Sequence, residues 1–306
     1  MYCSCFVLVN FVLAVLHFPL PRRGQGEVAV LNYLMSQVSN LKSKPIGVFD
    51  SGIGGLTVAH AISRLLPHEQ IIYFVDTAHL PYGDKSKDLI RHYALQITDF
   101  LLHTKHCKCI VIACNTASAA AYEYLRDTHK GNVPIFNVID PIIESVIADD
   151  SIKHVGIIAT KTTIQAGVYQ EKLSRRKPGL KYAALATPLL APMVEEGFYN
   201  NNISHTVINN YLEQPELQGI DALILGCTHY VMIKKEIDAF YKGKIKLFDS
   251  TNIVATKLKA ILEKENLLSD KPLGENIFFV SDYTESFEQA AKAFYGTAIQ
   301  LKQQSI

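Results

Sequence analysis

From Pro45 onward the chain alternates short apolar runs with longer stretches whose apolar positions recur at helical spacing. Ile46–Phe49 is an apolar run that ends at Asp50. Thr57–Leu66 has helical spacing and stops at Pro67, a residue that cannot continue a helix. Ile71–Val75 predicts a second strand and Asp88–His103 a long amphipathic helix. Cys109–Ala113 predicts a strand, Ala117–Thr128 an Ala-rich helix, and Val133–Val138 a strand interrupted only by Pro134. This alternation of strand and helix predicts an α/β fold with mainly parallel sheets.

The pattern then recurs. Val155-Gly156-Ile157-Ile158 resembles Ile46-Gly47-Val48-Phe49, 109 residues earlier. Leu223-Ile224-Leu225-Gly226-Cys227-Thr228 resembles Val111-Ile112-Ala113-Cys114-Asn115-Thr116, and Cys114 and Cys227 lie 113 residues apart. Two matches at nearly one offset predict two similar α/β halves. The first is expected to comprise residues 44–138 plus 248–306, and the second residues 139–247. The tail, with Lys246–Phe248, Ile277–Val280 and a helix near Glu285–Tyr295, is expected to return and complete the first half.

Residues 1–43 stand apart. The run Cys5–Leu16 is almost wholly apolar, yet shorter than the about 20 residues a membrane span needs. Arg22 and Arg23 follow the run rather than precede it, which is not the order of a signal peptide. The stretch is therefore read as an extension outside the fold, with Met35 as an alternative start before the polar lead-in Ser36–Lys44. A membrane or export segment is the competing reading.

Thirty Lys and Arg against 29 Asp and Glu leave a net charge of +1, which argues against a basic nucleic-acid surface. With 306 residues, 48% of them apolar, the chain can bury a core without metal or disulfide staples. Six cysteines, none in a CxxC pair, are too few for a stapled secreted scaffold. Cys107 and Cys109 lie near His103 and His106 but lack a second ligand pair at zinc spacing. They are read as flanking the start of a buried strand, and no metal is assigned.

Four segments carry candidate chemistry. Asp50-Ser51-Gly52-Ile53-Gly54-Gly55 follows a strand and opens a helix, where glycines allow close backbone approach and helix amides attract an anion. The spacing is not that of a dinucleotide fingerprint. Tyr82-Gly83 sits in a Pro- and Gly-containing loop beyond a strand end. Cys114-Asn115-Thr116 places a thiol at the carboxyl end of a strand and the start of a helix, where the helix dipole is expected to lower its pKa. Gly226-Cys227-Thr228-His229 repeats that placement in the other half and adds a histidine. Two thiols facing each other across a cleft suit a reaction in which one proton is removed from one face and another delivered to the opposite face. No cofactor is required for such a reaction. Asp50 near one thiol and His229 near the other are candidates to shuttle or poise protons, and Glu195, after the apolar run Pro188–Val194, is a further candidate.

From about Pro45 to Tyr295 the chain resembles the glutamate racemases of bacterial cell-wall synthesis. The resemblance rests on Phe49–Gly55, Pro81-Tyr82-Gly83, Ala113–Ala117, Pro192–Gly197 and Gly226–Tyr230, five motifs in order. It implies cofactor-independent interconversion of L- and D-glutamate in the cytoplasm, with the D-enantiomer feeding peptidoglycan. Cys114 would act on the D-enantiomer assisted by Asp50, and Cys227 on the L-enantiomer assisted by Glu195 and His229. Substrate would touch Asp50, Ser51, Tyr82, Gly83, Asn115, Thr116, Thr228 and His229. The resemblance also implies two pseudo-twofold-related α/β domains with the active site in the cleft between them. A homodimer is expected, with no nucleic-acid or membrane partner. His79 stands where arginine is frequent in the family, and Thr187 where cysteine is common. Relatives acting on aspartate typically carry Glu in place of His229, which favours glutamate. An amino-acid-binding protein with two α/β halves is the rival from another class, and it would need no thiols in its cleft.

Overall fold

The computed structural model describes residues 40–306, apart from 132 and 298. The apolar run Cys5–Leu16 and Met35, with the readings attached to them, lie outside the described residues. Among the described residues, no helix is long and apolar enough to cross a membrane.

The first part of the chain runs β1 (Ile46–Asp50), α1 (Leu56–Leu65), β2 (Ile71–Val75), α2 (Lys87–Asp99), β3 (Cys109–Ile112), α3 (Asn115–Thr128), β4 (Ile135–Asn137) and α4 (Ile139–Ile147). The second runs β5 (His154–Ala159), α5 (Lys161–Gln165), α6 (Val168–Arg176), β6 (Lys181–Ala186), α7 (Leu190–Glu195), α8 (Asn202–Leu212), β7 (Ala222–Gly226), α9 (Lys234–Phe240) and β8 (Lys246–Phe248). The chain closes with α10 (Ser250–Lys264), β9 (Ile277–Val280), α11 (Glu285–Tyr295) and β10 (Leu301–Gln303). Strands β1, β2, β3 and β7 are buried along their whole length. Sheets covered on both faces require such continuous apolar runs, and crossover helices supply the cover.

Two sheets result, and every strand pairing in them is parallel. One has the order β10-β9-β2-β1-β3-β4 and the other β6-β5-β7-β8. The order β2-β1-β3-β4 is thus repeated as β6-β5-β7-β8, so that β5 answers β1 and β7 answers β3. The recurring apolar pattern has this origin: equivalent strands sit at equivalent central positions and meet the same burial. The first sheet takes its strands from residues 46–137 and 277–303, and the second from residues 154–248, so Lys246–Phe248, expected in the tail that completes the first half, instead pairs with β7 at the edge of the second sheet. Helix α4 carries the chain out from β4 to β5, and α10 carries it back from β8, packing on both α1 and α4.

Local chemistry adjusts three boundaries. Helix α3 begins at Asn115 rather than Ala117, because Cys114 is its N-cap and the thiol accepts from the Ala117 amide at 3.4 Å. Helix α2 does not run to His103 as a regular α-helix. It ends at Asp99 in a π turn, Phe100–Thr104, closed by the Lys105 amide donating to the Phe100 carbonyl at 3.1 Å. Cys227, expected to stand at a helix start like Cys114, is followed instead by a 3-10 turn, Thr228–Val231.

At the amino-terminal ends of β2 and β3, Lys108 is fully buried and donates to Glu69 Oε2 at 2.6 Å and to the carbonyls of Leu267 and Lys42 at 2.8 and 3.1 Å. One ammonium with three acceptors satisfies the pairing that a buried charge demands.

Candidate active site

The carboxyl ends of β1, β3, β5 and β7 converge on a cavity of about 60 Å³. Open α/β sheets present ligand sites at these ends. All eleven residues singled out from the sequence line it: Asp50, Ser51, Tyr82, Gly83, Cys114, Asn115, Thr116, Glu195, Cys227, Thr228 and His229. Each thiol follows a central strand of its own sheet, β3 for Cys114 and β7 for Cys227, and both are free and buried.

Around Cys114 the polar groups form a short chain. Its sulfur lies 3.3 Å from Ser51 Oγ, which also donates to Asp50 Oδ1 at 3.2 Å. Asp50 accepts further from the Gly52 amide at 3.1 Å and, through Oδ2, from Thr228 Oγ1 at 3.0 Å. Burial raises the Asp50 carboxyl above its ordinary range despite the nearby His229 and these donors. Burial, followed by the Asp50 charge, also pushes the Cys114 thiol well up. The helix dipole was expected to lower that pKa. The structure reverses the expectation because desolvation of a fully enclosed sulfur, next to a carboxylate, outweighs the partial charge of one helix end.

Cys227 is surrounded differently. His229 Nδ1 lies 3.5 Å from its sulfur, and His229 Nε2 is 2.9 Å from Glu195 Oε1 on α7. Burial disfavours the imidazolium, but the contacts with Cys227 and Glu195 together outweigh it and hold the His229 pKa well above its ordinary value.

The glycines of the first motif are used mainly to admit side chains from the other half. A Cβ on Gly54 would lie 2.5 Å from Thr228 Oγ1 and 2.8 Å from the His229 amide nitrogen, and one on Gly52 would lie 2.8 Å from Glu195 Oε1. The close backbone approach expected of this motif serves the packing of the two halves at these positions.

Further donors face the cavity. Asn115 Oδ1 accepts from Tyr169 at 2.7 Å, which leaves its buried Nδ2 without a partner. Thr116 Oγ1 lies 2.9 Å from Thr160 Oγ1 and 3.2 Å from Thr163 Oγ1. Thr160 and Lys161 line the cavity and were missed in the sequence, although a signal existed: the 109-residue offset between the halves carries Ser51 onto Thr160. His79 does not line the cavity; it lies 2.8 Å from Asp76 Oδ1 and stacks on Tyr93. Thr187 is buried behind the cavity, 2.7 Å from the Tyr230 hydroxyl.

Residues 47–258 match the family model for the Asp/Glu/hydantoin racemases. A glutamate racemase of Geobacter metallireducens is 39% identical over 254 residues, covering 83% of this chain and 93% of that protein. The crystal structure of glutamate racemase from Francisella tularensis in complex with D-glutamate aligns with a TM-score of 0.81 at 37% identity, covering 86% of this chain and 98% of that one. A glutamate racemase isoform from Bacillus anthracis aligns with a TM-score of 0.81 at 32% identity over 86% and 98% of the two chains.

Proposed function

The chain belongs to the Asp/Glu/hydantoin racemase family, and from that premise we propose that it racemises glutamate by proton transfer between two thiols. The observation that carries this reading is the placement of Cys114 and Cys227 after equivalent strands, lining one cavity from two sheets. Cys227, as thiolate, takes the Cα proton of L-glutamate, and Cys114, as thiol, delivers a proton to the opposite face to give D-glutamate. The reverse reaction exchanges the roles. One proton leaves the substrate and one arrives, so the balance closes within the protein and the substrate is neither oxidised nor reduced.

The surroundings suit these tasks. A thiol that burial keeps protonated is poised to donate, and Ser51 links it to Asp50, whose raised pKa equips it to hold that proton when Cys114 serves as base. The protonated His229, between Cys227 and Glu195, balances the charge of a thiolate at that position. The free Asn115 Nδ2 and the Thr116 hydroxyl are donors for the substrate carboxylates, and Ser51 lines the cavity beside them. Tyr82, Gly83 and Thr228 complete the contact surface. His229, where relatives acting on aspartate carry Glu, favours glutamate as substrate. The D-enantiomer would feed peptidoglycan in the cytoplasm, and the working form would be a homodimer.

The deciding experiment follows L-glutamate in D2O by proton NMR, with optical rotation measured in parallel and no cofactor added. Loss of the Cα proton signal together with decay of rotation to zero is expected. A folded protein that leaves both unchanged, on glutamate and on aspartate, would overturn the reading in favour of a binding protein.

A further inference from the structure

A second cluster of ionisable side chains lies where the carboxyl ends of α2 and α3 meet. Asp99 ends α2, His103 sits in the π turn that follows, and His129 caps the carboxyl end of α3. Asp99 Oδ1 is 3.7 Å from His103 Nε2 and 3.5 Å from His129 Nε2, and one ligand atom from each residue falls within 4.8 Å of the others. His129 is only 5% exposed, and its buried Nε2 has no hydrogen-bond partner. A buried polar atom left without a partner is unusual enough to need a reason.

The separations suggest one. Nitrogen and oxygen atoms bound about 2.0–2.1 Å from a tetrahedral ion lie about 3.3 Å from one another. The two measured separations exceed this by a few tenths of an ångström, within reach of small rotations of His103 and Asp99, which are exposed and half-buried. The π turn contributes as well, since such insertions re-aim side chains and are frequent at functional sites.

We propose that Asp99, His103 and His129 form a binding site for one divalent transition-metal ion, zinc in the first instance, with its remaining position open to water. Two imidazoles and a carboxylate are a borderline donor set that suits zinc, cobalt or nickel rather than magnesium or calcium. The ion would clip the end of α2 to the end of α3. Helix α3 has 14 residues and spans about 21 Å, so the site stands well away from Cys114 at the helix's opposite end. It is a structural clip and takes no part in proton transfer. The Cys107–Cys109 pair, the metal candidate weighed from spacing, is not part of this cluster, and burial pushes the Cys107 thiol up to about 12, which disfavours the thiolate that would bind metal.

The test uses tag-free full-length protein stripped with a chelator and titrated with Co2+, then with Zn2+. One equivalent of Co2+ should give the visible absorption of a four- or five-coordinate ion, discharged by Zn2+, and Zn2+ should raise the melting midpoint to saturation at one equivalent. His103→Ala and Asp99→Asn should each weaken binding by at least about tenfold, the size that losses in the outer shell alone can reach. Both should reduce the zinc-dependent midpoint shift and move its saturation to higher zinc, and leave racemisation unchanged. His103 is exposed, so its replacement keeps the fold and decides the matter even where His129→Ala is unstable. Absence of a stoichiometric Co2+ signal, or binding retained in both variants, would overturn the proposal.

Discussion

Thr228 Oγ1 donates a hydrogen bond to Asp50 Oδ2 at 3.0 Å, joining the turn after β7 to the end of β1. The bond ties the surroundings of one thiol to those of the other, because Thr228 lies between Cys227 and His229 while Asp50 reaches Cys114 through Ser51.

Thr228→Val removes that donor while keeping the shape. A hydrogen bond to a charged group contributes about 1.5–3 kcal/mol, so kcat/KM should fall about 10- to 100-fold. Thr228 is one of the groups that lower the Asp50 pKa against burial, so its loss should raise that pKa further. The acidic limb of the pH–rate profile should therefore move to higher pH. A profile that stays in place would separate Asp50 from the proton path.

Cys114→Ala and Cys227→Ala should each lower racemisation by at least the about 10²–10⁴-fold that a positioned acid or base contributes. Circular dichroism should show both folded, since each change deletes one atom at the cavity wall. Full activity in either variant would end the two-thiol mechanism. A single variant that still exchanges the Cα proton of one enantiomer in D2O would assign each thiol to its face.

Glu195→Gln takes away the carboxylate that faces His229 Nε2 at 2.9 Å. The His229 pKa should fall, and the alkaline limb of activity should shift to lower pH. The sign also fixes a stability effect. The folded-state pKa of His229 lies above its unfolded value, so its contribution is complete below the unfolded pKa and disappears as pH rises through the folded one. The difference in melting midpoint between wild type and Glu195→Gln should narrow as pH rises above neutrality. A difference that grows with pH would contradict the pairing.

Glu69→Ala leaves Lys108 buried with only carbonyl acceptors. Breaking one side of a buried ion pair costs about 3–5 kcal/mol, and urea unfolding monitored by circular dichroism should register a loss of that size. Racemisation should persist wherever the variant remains folded, because neither residue lines the cavity.

The sequence was most legible where burial is uniform. Strands such as Ile71–Val75 and Ala222–Gly226 are covered on both faces, so their apolar runs survive as plain text. Cys114 and Cys227 stood out because the repeat placed both at strand ends. Thr160 was concealed because a threonine after a strand has no chemistry distinctive enough to mark it, although the repeat aligns it with Ser51. The cluster of Asp99, His103 and His129 was legible only in part. Asp99 and His103 are one helical turn apart, but His129 reaches them only because α3 packs on α2.

By itself, then, the sequence determined the α/β class, the repeated strand pattern and the residue types available for proton transfer, because each depends on local periodicity and on which side chains follow a strand. The tertiary structure decided what those side chains became. Enclosure makes Cys114 a held thiol against the pull of its own helix. The approach of Thr228 and His229 to Gly54 makes the glycine motif part of a packed seam. Both outcomes follow from desolvation and close contact between segments more than sixty residues apart, quantities that no local window of the chain contains.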